Sequence, residues 1–144
     1  LYDNDLLEIV YRRFENLSQQ AKPFGLVTLT LDTHHPKGHK SAACDKEYGD
    51  GSNPMLNAVH CADALASQFI QRIRQSPYAQ NTLLVVASDH IALKNEASDQ
   101  LSQIPRTNLL MLFHPTLAQP THQRRRNHYR HDYADNAIAG SPCY

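Results

Sequence analysis

The sequence predicts an α/β fold built on a mostly parallel sheet, and three observations carry that expectation. Two apolar runs, residues 24–31 and 82–87, are of strand length and rich in Leu and Val, as suits strands buried on both faces of a parallel sheet. Two other stretches place apolar residues at steps of three and four, the spacing of one helix face. The two patterns alternate along the chain, which is the order of a parallel sheet covered by helices.

The first helix spans residues 3–20, with Leu6, Leu7, Val10, Phe14 and Leu17 on its apolar face, and Pro23 ends it. The strand of residues 24–31 follows. Asp32-Thr33-His34-His35-Pro36 then opens a polar loop that runs to about Ser52. A loop of roughly 20 residues without regular structure is uncommon in a compact domain and, when ordered, is often functional. Asn53 caps the second helix and Pro54 occupies its first turn, where a missing N–H costs nothing. Met55, Val59, Ala62, Leu65, Phe69 and Ile73 form its stripe as far as about Gln75, and Ser76-Pro77-Tyr78 breaks it. The strand at 82–87, a short helical or irregular stretch over 96–104 and a third strand at 108–113 complete the pattern.

At 144 residues the chain has room for one domain with a single core. Its 14 basic and 14 acidic residues balance, so no global field argues for nucleic acid, although Arg124-Arg125-Arg126 and several late histidines make the tail locally basic. That tail lacks the aromatic interleaving of a nucleic-acid site. No apolar stretch approaches the roughly 18 residues that span a bilayer. The start has no signal-peptide pattern, and beginning at Leu rather than Met it reads as cut from something longer. Cys44 and Cys61 flank a Gly-rich loop that one bridge could pin; two free thiols in a reducing compartment are an equal reading of the spacing.

The chemistry-bearing residues lie where the strands end. Ser88-Asp89-His90 directly follows the run 82–87. Ligands gather at the carboxyl edge of such sheets, and an Asp and a His supply an oxygen and a nitrogen donor suited to a divalent metal. If the strands at 24–31 and 82–87 lie parallel, joined by a right-handed crossover, Asp32, His34 and His35 reach the same rim. Each residue also has a plainer role: Asp89 as a helix cap, His90 as an imidazole bonded to a carbonyl, His34 or His35 as a solvated loop residue. Ser88, Asp89 and His90 are chain neighbours and cannot form a linear catalytic relay. His39, His60 and His114 read as structural or surface residues, and no phosphate loop or nucleophile elbow is present.

Four segments together carry a family likeness: Thr30-Leu31-Asp32-Thr33-His34-His35-Pro36, Tyr48-Gly49-Asp50-Gly51-Ser52-Asn53-Pro54, Asn57-Ala58-Val59-His60-Cys61-Ala62-Asp63 and Val85-Val86-Ala87-Ser88-Asp89-His90. From about Leu1 to Phe113 the chain resembles the phosphoglycerol transferases of Gram-negative bacteria, in the sulfatase-like branch of the alkaline phosphatase superfamily, alongside lipoteichoic acid synthases. The resemblance implies a partial α/β/α sandwich of the alkaline phosphatase type. It implies an enzyme at the periplasmic face of the inner membrane that moves phosphoglycerol from phosphatidylglycerol to osmoregulated periplasmic glucans through a covalent threonine intermediate. It further implies that Asp89 and His90 ligate a divalent ion, commonly manganese, and that His34, with His35 beside it, meets the phosphoryl or glycerol group. In an extracytoplasmic setting a Cys44–Cys61 disulfide is the favoured state, worth about 3 kcal/mol by loop closure.

The family's glutamate ligand and threonine nucleophile lie upstream of the matching stretch, and Thr28, Thr30 and Thr33 are not substitutes. The chain by itself therefore has no catalytic nucleophile and is expected to be inactive alone. A sulfatase or phosphodiesterase of the same superfamily is an alternative, as is a non-catalytic remnant that binds a partner. A second copy pairing at an unpaired sheet edge is expected on the same grounds. The likeness runs to about Phe113, and from Gln123 the chain departs from the family's pattern. Residues 1–122 read as the C-terminal part of a sulfatase-like catalytic domain, and residues 123–144 as an atypical polar tail. A reading-frame shift is one account of it: codons permitted for Arg125 through Gly140, read one base later, can encode an end of the family's kind. Such a tail would be disordered.

Overall fold

Helix α1 (Asp3–Ser18) and helix α2 (Pro54–Arg74) pack together and hold the principal apolar cluster. The computed structural model describes residues 2–20, 22–103, 105, 107–116 and 121–122; the tail from 123 lies outside the described residues. Tyr11 and Phe14 from α1 and Ile73 from α2 are buried, with Phe69, Tyr78 and Leu84 against them. Phe14 is the hub: its ring meets Tyr11, Phe24 and Tyr78 at centroid distances of 6.0, 6.4 and 6.0 Å. Arg72 lies over the Tyr11 ring, 3.5 Å from its centroid, and pairs with Glu8, closing the outer side of the helix pair. Hydrogen bonds from Arg72 and from Arg12, whose Nε donates to Glu8 Oε1 at 3.1 Å, hold the Glu8 carboxyl below its usual range.

α2 begins as the sequence predicts. Asn53 accepts a hydrogen bond from Leu56 N at 3.1 Å and Pro54 takes the first position. The N-terminus of α1 has no local side-chain cap. Asp32 supplies one from 29 residues away: Asp3 N donates to Asp32 Oδ2 (3.0 Å), while Asp3 Oδ1 and Oδ2 accept from Leu31 N (2.9 Å) and Asp32 N (3.1 Å). A carboxylate at this helix end is also favoured by the dipole.

The sheet departs from expectation. Strand β1 (Leu84–Ala87) pairs antiparallel with β2 (Leu110–Phe113), and β2 pairs antiparallel with the short β3 (Thr121–His122), in the order β1-β2-β3. Residues 24–31, expected as a strand parallel to β1, are in no strand, and among the described residues no parallel pair forms. The reason is a missing neighbour: residues 24–30 have no backbone hydrogen bond to any described residue. β1 is likewise not buried on both faces. Leu83 and Val85 are exposed while Leu84 and Val86 are half-buried, so one face alone is covered. A 3-10 turn at Ala79–Asn81 precedes β1, and a one-turn helix α3 (Ser98–Leu101) separates it from β2.

The long polar loop of residues 32–53 has no regular structure but is held along its length. Ser41 is buried and donates to Asn4 Oδ1 at 2.8 Å; Asn57 of α2 accepts from Tyr48 N and donates to Gly51 O, both at 2.8 Å. Cys44 and Cys61 form a disulfide that ties the loop to the middle of α2, with Cα atoms 5.7 Å apart. At Gly38 (φ +68°) a Cβ would lie 2.6 Å from Ala58 Cβ, so this turn against α2 requires glycine.

Candidate metal and substrate site

Asp89 and His90 leave the end of β1 as a preorganised pair of donors. Asp89 Oδ1 accepts from His90 N at 2.8 Å, which fixes the carboxylate and turns Oδ2 to within 3.3 Å of His90 Nε2. His90 Nδ1 lies 2.8 Å from Ile91 O. A carbonyl only accepts, so Nδ1 carries the proton and, in the neutral ring, Nε2 keeps its lone pair. An imidazole held through Nδ1–H to a backbone carbonyl is the usual bearing of a metal-ligating histidine. Donors bonded to one ion at ~2.1 Å stand ~3.0 to 3.4 Å apart at adjacent coordination positions, which the 3.3 Å separation fits. Both side chains are open to solvent, 55% and 59% exposed, so an ion could reach them. No third His, Cys, Asp or Glu joins them in a metal-sized group among the described residues.

His34 and His35 form the second element. Their rings stack at 4.5 Å with an interplanar angle of 26°, and His34 Nδ1–H donates to His35 O at 2.8 Å. His34 Nε2 is thus the free ring nitrogen, able to accept from a hydroxyl when neutral or to donate to an anion when protonated. The loop that carries the pair is anchored at its start, where Asp32 O accepts from His39 N at 2.6 Å and Leu31 O from His34 N at 3.0 Å. Asp32 itself is buried, and desolvation pushes its carboxyl above the usual range; the Asp3 N–H opposes this and the Asp3 charge adds to it.

The sequence places all five residues on one rim through a parallel sheet, and the structure links them differently. No hydrogen bond or ion pair joins the histidine pair to Asp89 or His90 among the described residues. Their segments meet one step away, where Glu96 N donates to Pro36 O (3.2 Å), Lys37 Nζ faces the Glu96 carboxylate (3.6 Å) and Asn53 Nδ2 donates to Glu96 O (3.3 Å). The start of α2, the loop after the histidines and the loop after His90 thus share one residue, Glu96. Just before Asn53 lies the Gly49–Ser52 turn, where Asp50 Oδ1 accepts from the Ser52 hydroxyl (2.6 Å) and N–H (3.0 Å), which lower the Asp50 carboxyl below its usual range. Sequence reasoning missed the residues that hold this arrangement, Asp3, Ser41, Asn57 and Glu96. Asp3 carried a signal as an acidic residue in a first helical turn, and Asn57 only as the first residue of a segment in the family likeness.

Comparison with known proteins decides the family. The Sulfatase family matches residues 2–139. The chain belongs to the sulfatase family. Among curated sulfatase-like relatives, Phosphoglycerol transferase I of Xanthomonas axonopodis pv. citri is 41% identical over 121 residues, covering 82% of this chain and 17% of the relative. The proteins of the same name from Xanthomonas campestris pv. campestris and Citrobacter koseri are 42% and 38% identical over 114 residues, 77% of this chain and 16% and 15% of theirs. The chain therefore spans about a sixth of the length of these relatives. No solved structure matches it. Family membership carries the α/β fold of the alkaline phosphatase type, and no helix among the described residues is long and apolar enough to cross a membrane.

Proposed function

We propose that this chain is the part of a phosphoglycerol transferase catalytic domain that holds half of a divalent metal site and the substrate-facing histidines. The observation that carries the reading is the Asp89–His90 pair, whose donor atoms are turned to one point by backbone hydrogen bonds, on a chain 38–42% identical to enzymes named Phosphoglycerol transferase I. Asp89 Oδ2 and His90 Nε2 would hold the ion, and a carboxylate with an imidazole suits manganese. Bound there, such an ion supplies charge neutralisation at a transferring phosphoryl group. His34, oriented by its bond to His35 O, presents Nε2 to a phosphoryl oxygen or a glycerol hydroxyl.

In this reading the donor lipid is phosphatidylglycerol, the acceptor a periplasmic glucan, and the place of action the periplasmic face of the inner membrane. The chain does no chemistry alone in this reading, because two metal ligands bind weakly and no residue among those described is an activated nucleophile. Two measurements test it. Manganese titrated into the full chain, followed by electron paramagnetic resonance of the free ion, gives weak binding that Asp89→Ala and His90→Ala each abolish; equal binding by both variants overturns the metal assignment. Phosphodiester turnover by the chain alone, lost in Asp89→Ala, overturns its dependence on a missing half.

A further inference from the structure

Asn53 uses both ends of its side-chain amide. Oδ1 accepts from Leu56 N (3.1 Å) and caps α2, while Nδ2 donates to Glu96 O (3.3 Å), 43 residues further on. The amide cannot be turned round, because Leu56 N only donates and Glu96 O only accepts. Glu96 in turn donates its N–H to Pro36 O at 3.2 Å, directly after the His34-His35 pair. The loop that carries Asp89 and His90 is thus held at both ends. At its start Ser88 N donates to Leu109 O and Leu109 N to Ser88 Oγ, both at 3.0 Å, which fixes it to the residue before β2. At its far end Ala97 is buried, and Asn95 knits the turn that contains Glu96: its Oδ1 accepts from Ala97 N and its N–H donates to Ser98 Oγ, both at 2.8 Å.

We infer that Asn53 is a positioning residue that sets the distance between the Asp89–His90 pair and the substrate-facing histidines, by hanging the far end of the Asp89–His90 loop from the first turn of α2. This rests on the proposed function and deepens it. Bonds at the Ser88 end fix where Asp89 and His90 point. No bond joins them to the histidine pair among the described residues, so the spacing of the two elements is carried at Glu96. The Lys37–Glu96 ion pair adds little to it, since the lysine side chain is 69% exposed. Capping alone does not call for asparagine at residue 53, because Asp, Ser or Thr caps a helix as well. The bond to Glu96 O does call for it: a carboxylate has no N–H, and a serine hydroxyl ends one atom short of Nδ2. A phosphoryl group held between an ion and an imidazole needs their spacing kept to within about 0.5 Å.

The test titrates manganese into the full chain and follows the His34 and His35 ring signals by nuclear magnetic resonance, where broadening by the bound ion grows steeply as the ion comes closer. Asn53→Ser and Asn53→Asp both keep the cap and remove the donor, and since only one adds a charge, an effect they share is not one of charge. In both, the first-turn amides of α2 should exchange as in wild type and manganese affinity should stay within about twofold, the level of an ordinary surface change. The Glu96 amide should exchange about tenfold faster. The broadening for each bound ion should fall by about twofold or more as the loop loosens by ~1 Å. Asn53→Ala, which loses the cap too, shows what a purely structural loss does to α2. Broadening equal to wild type in both capping variants, no broadening of His34 in wild type, or a fall that comes only with faster exchange across α2 each overturns the inference. The proposed function fails separately: if Asp89→Ala leaves manganese binding and broadening unchanged while the Glu96 amide exchanges faster in Asn53→Ser, the tether stands and the metal reading falls.

Discussion

Two adjacent stretches of this chain, residues 24–31 and 32–53, invert what their compositions suggest. The apolar stretch reads as the firmest strand in the sequence and is held by almost nothing; the polar stretch reads as a loop and is held at nearly every turn. The difference lies in where each finds its partners. The loop's partners are local or on the two helices: Asn4, Asp3, Asn57, Ala58 and Cys61. A strand's partners are other strands, and among the described residues none lies beside residues 24–31. Order in the site region therefore depends on side-chain clasps rather than on a sheet.

Breaking the clasps should have the largest effect. Cys44→Ala, or reduction of the intact chain, removes a closure across 17 residues and should cost about 3 kcal/mol in denaturant unfolding. Amides of the polar loop should lose exchange protection while those of β1 and β2 keep theirs. Equal losses in both would mean that loop and sheet unfold as one unit and that the contrast drawn between them is false.

Asn57→Ala comes next. It strands Tyr48 N and Gly51 O, each losing a 2.8 Å bond to a buried amide, and at about 1 kcal/mol for each bond the expected loss is ~2 kcal/mol. Asn57→Asp keeps the acceptor for Tyr48 N and loses the donor to Gly51 O, so it should fall between wild type and Ala. A loss below about 0.5 kcal/mol for Asn57→Ala, the level of an ordinary surface change, would show that the Gly49–Ser52 turn is set by its own backbone.

The Asp3–Asp32 clasp gives a smaller effect with a definite sign. Burial raises the Asp32 carboxyl in the folded chain, so the folded state holds that proton more tightly than the unfolded state does. Its contribution is then fully present below the unfolded value of about 3.9 and is lost as pH rises through the higher folded value. Asp32→Asn keeps an acceptor for Asp3 N and removes the titration. Stability measured against pH in the two chains should differ by a term that favours wild type increasingly as pH falls through that window. A difference of the opposite slope would mean that the hydrogen bonds to the carboxylate outweigh its desolvation.

What could be read from the sequence follows the same division. α1, α2 and the Asn53–Pro54 start were legible because helices signal themselves through local spacing and caps, and the structure reproduces them within two residues. The Asp89–His90 pair was legible as adjacent donors at a strand end, although the bond from His90 Nδ1 to Ile91 O, which aims the ring, has no sequence signature. The sheet was not legible. The pattern of residues 84–87 gives a strand but not its neighbour, and the antiparallel return through residues 110–113 follows from pairing partners that periodicity does not encode. Asp32 capping a helix that starts 29 residues before it is likewise a tertiary fact, visible only once both are placed.

The smallest expected effect is the sharpest test of the contrast. Leu29 is 58% exposed, so replacing it by Thr removes apolar surface that already faces water and deletes no buried contact. The change should alter unfolding free energy by less than about 0.5 kcal/mol, as exposed substitutions do. An interior Leu truncated in the same way would cost several times more, about 2 kcal/mol or above. A near-zero result would mean that the apolar surface of this segment contributes nothing to the stability of the chain. A large loss in the chain alone would mean that residues 24–31 are already covered in solution, and the open edge would then not exist.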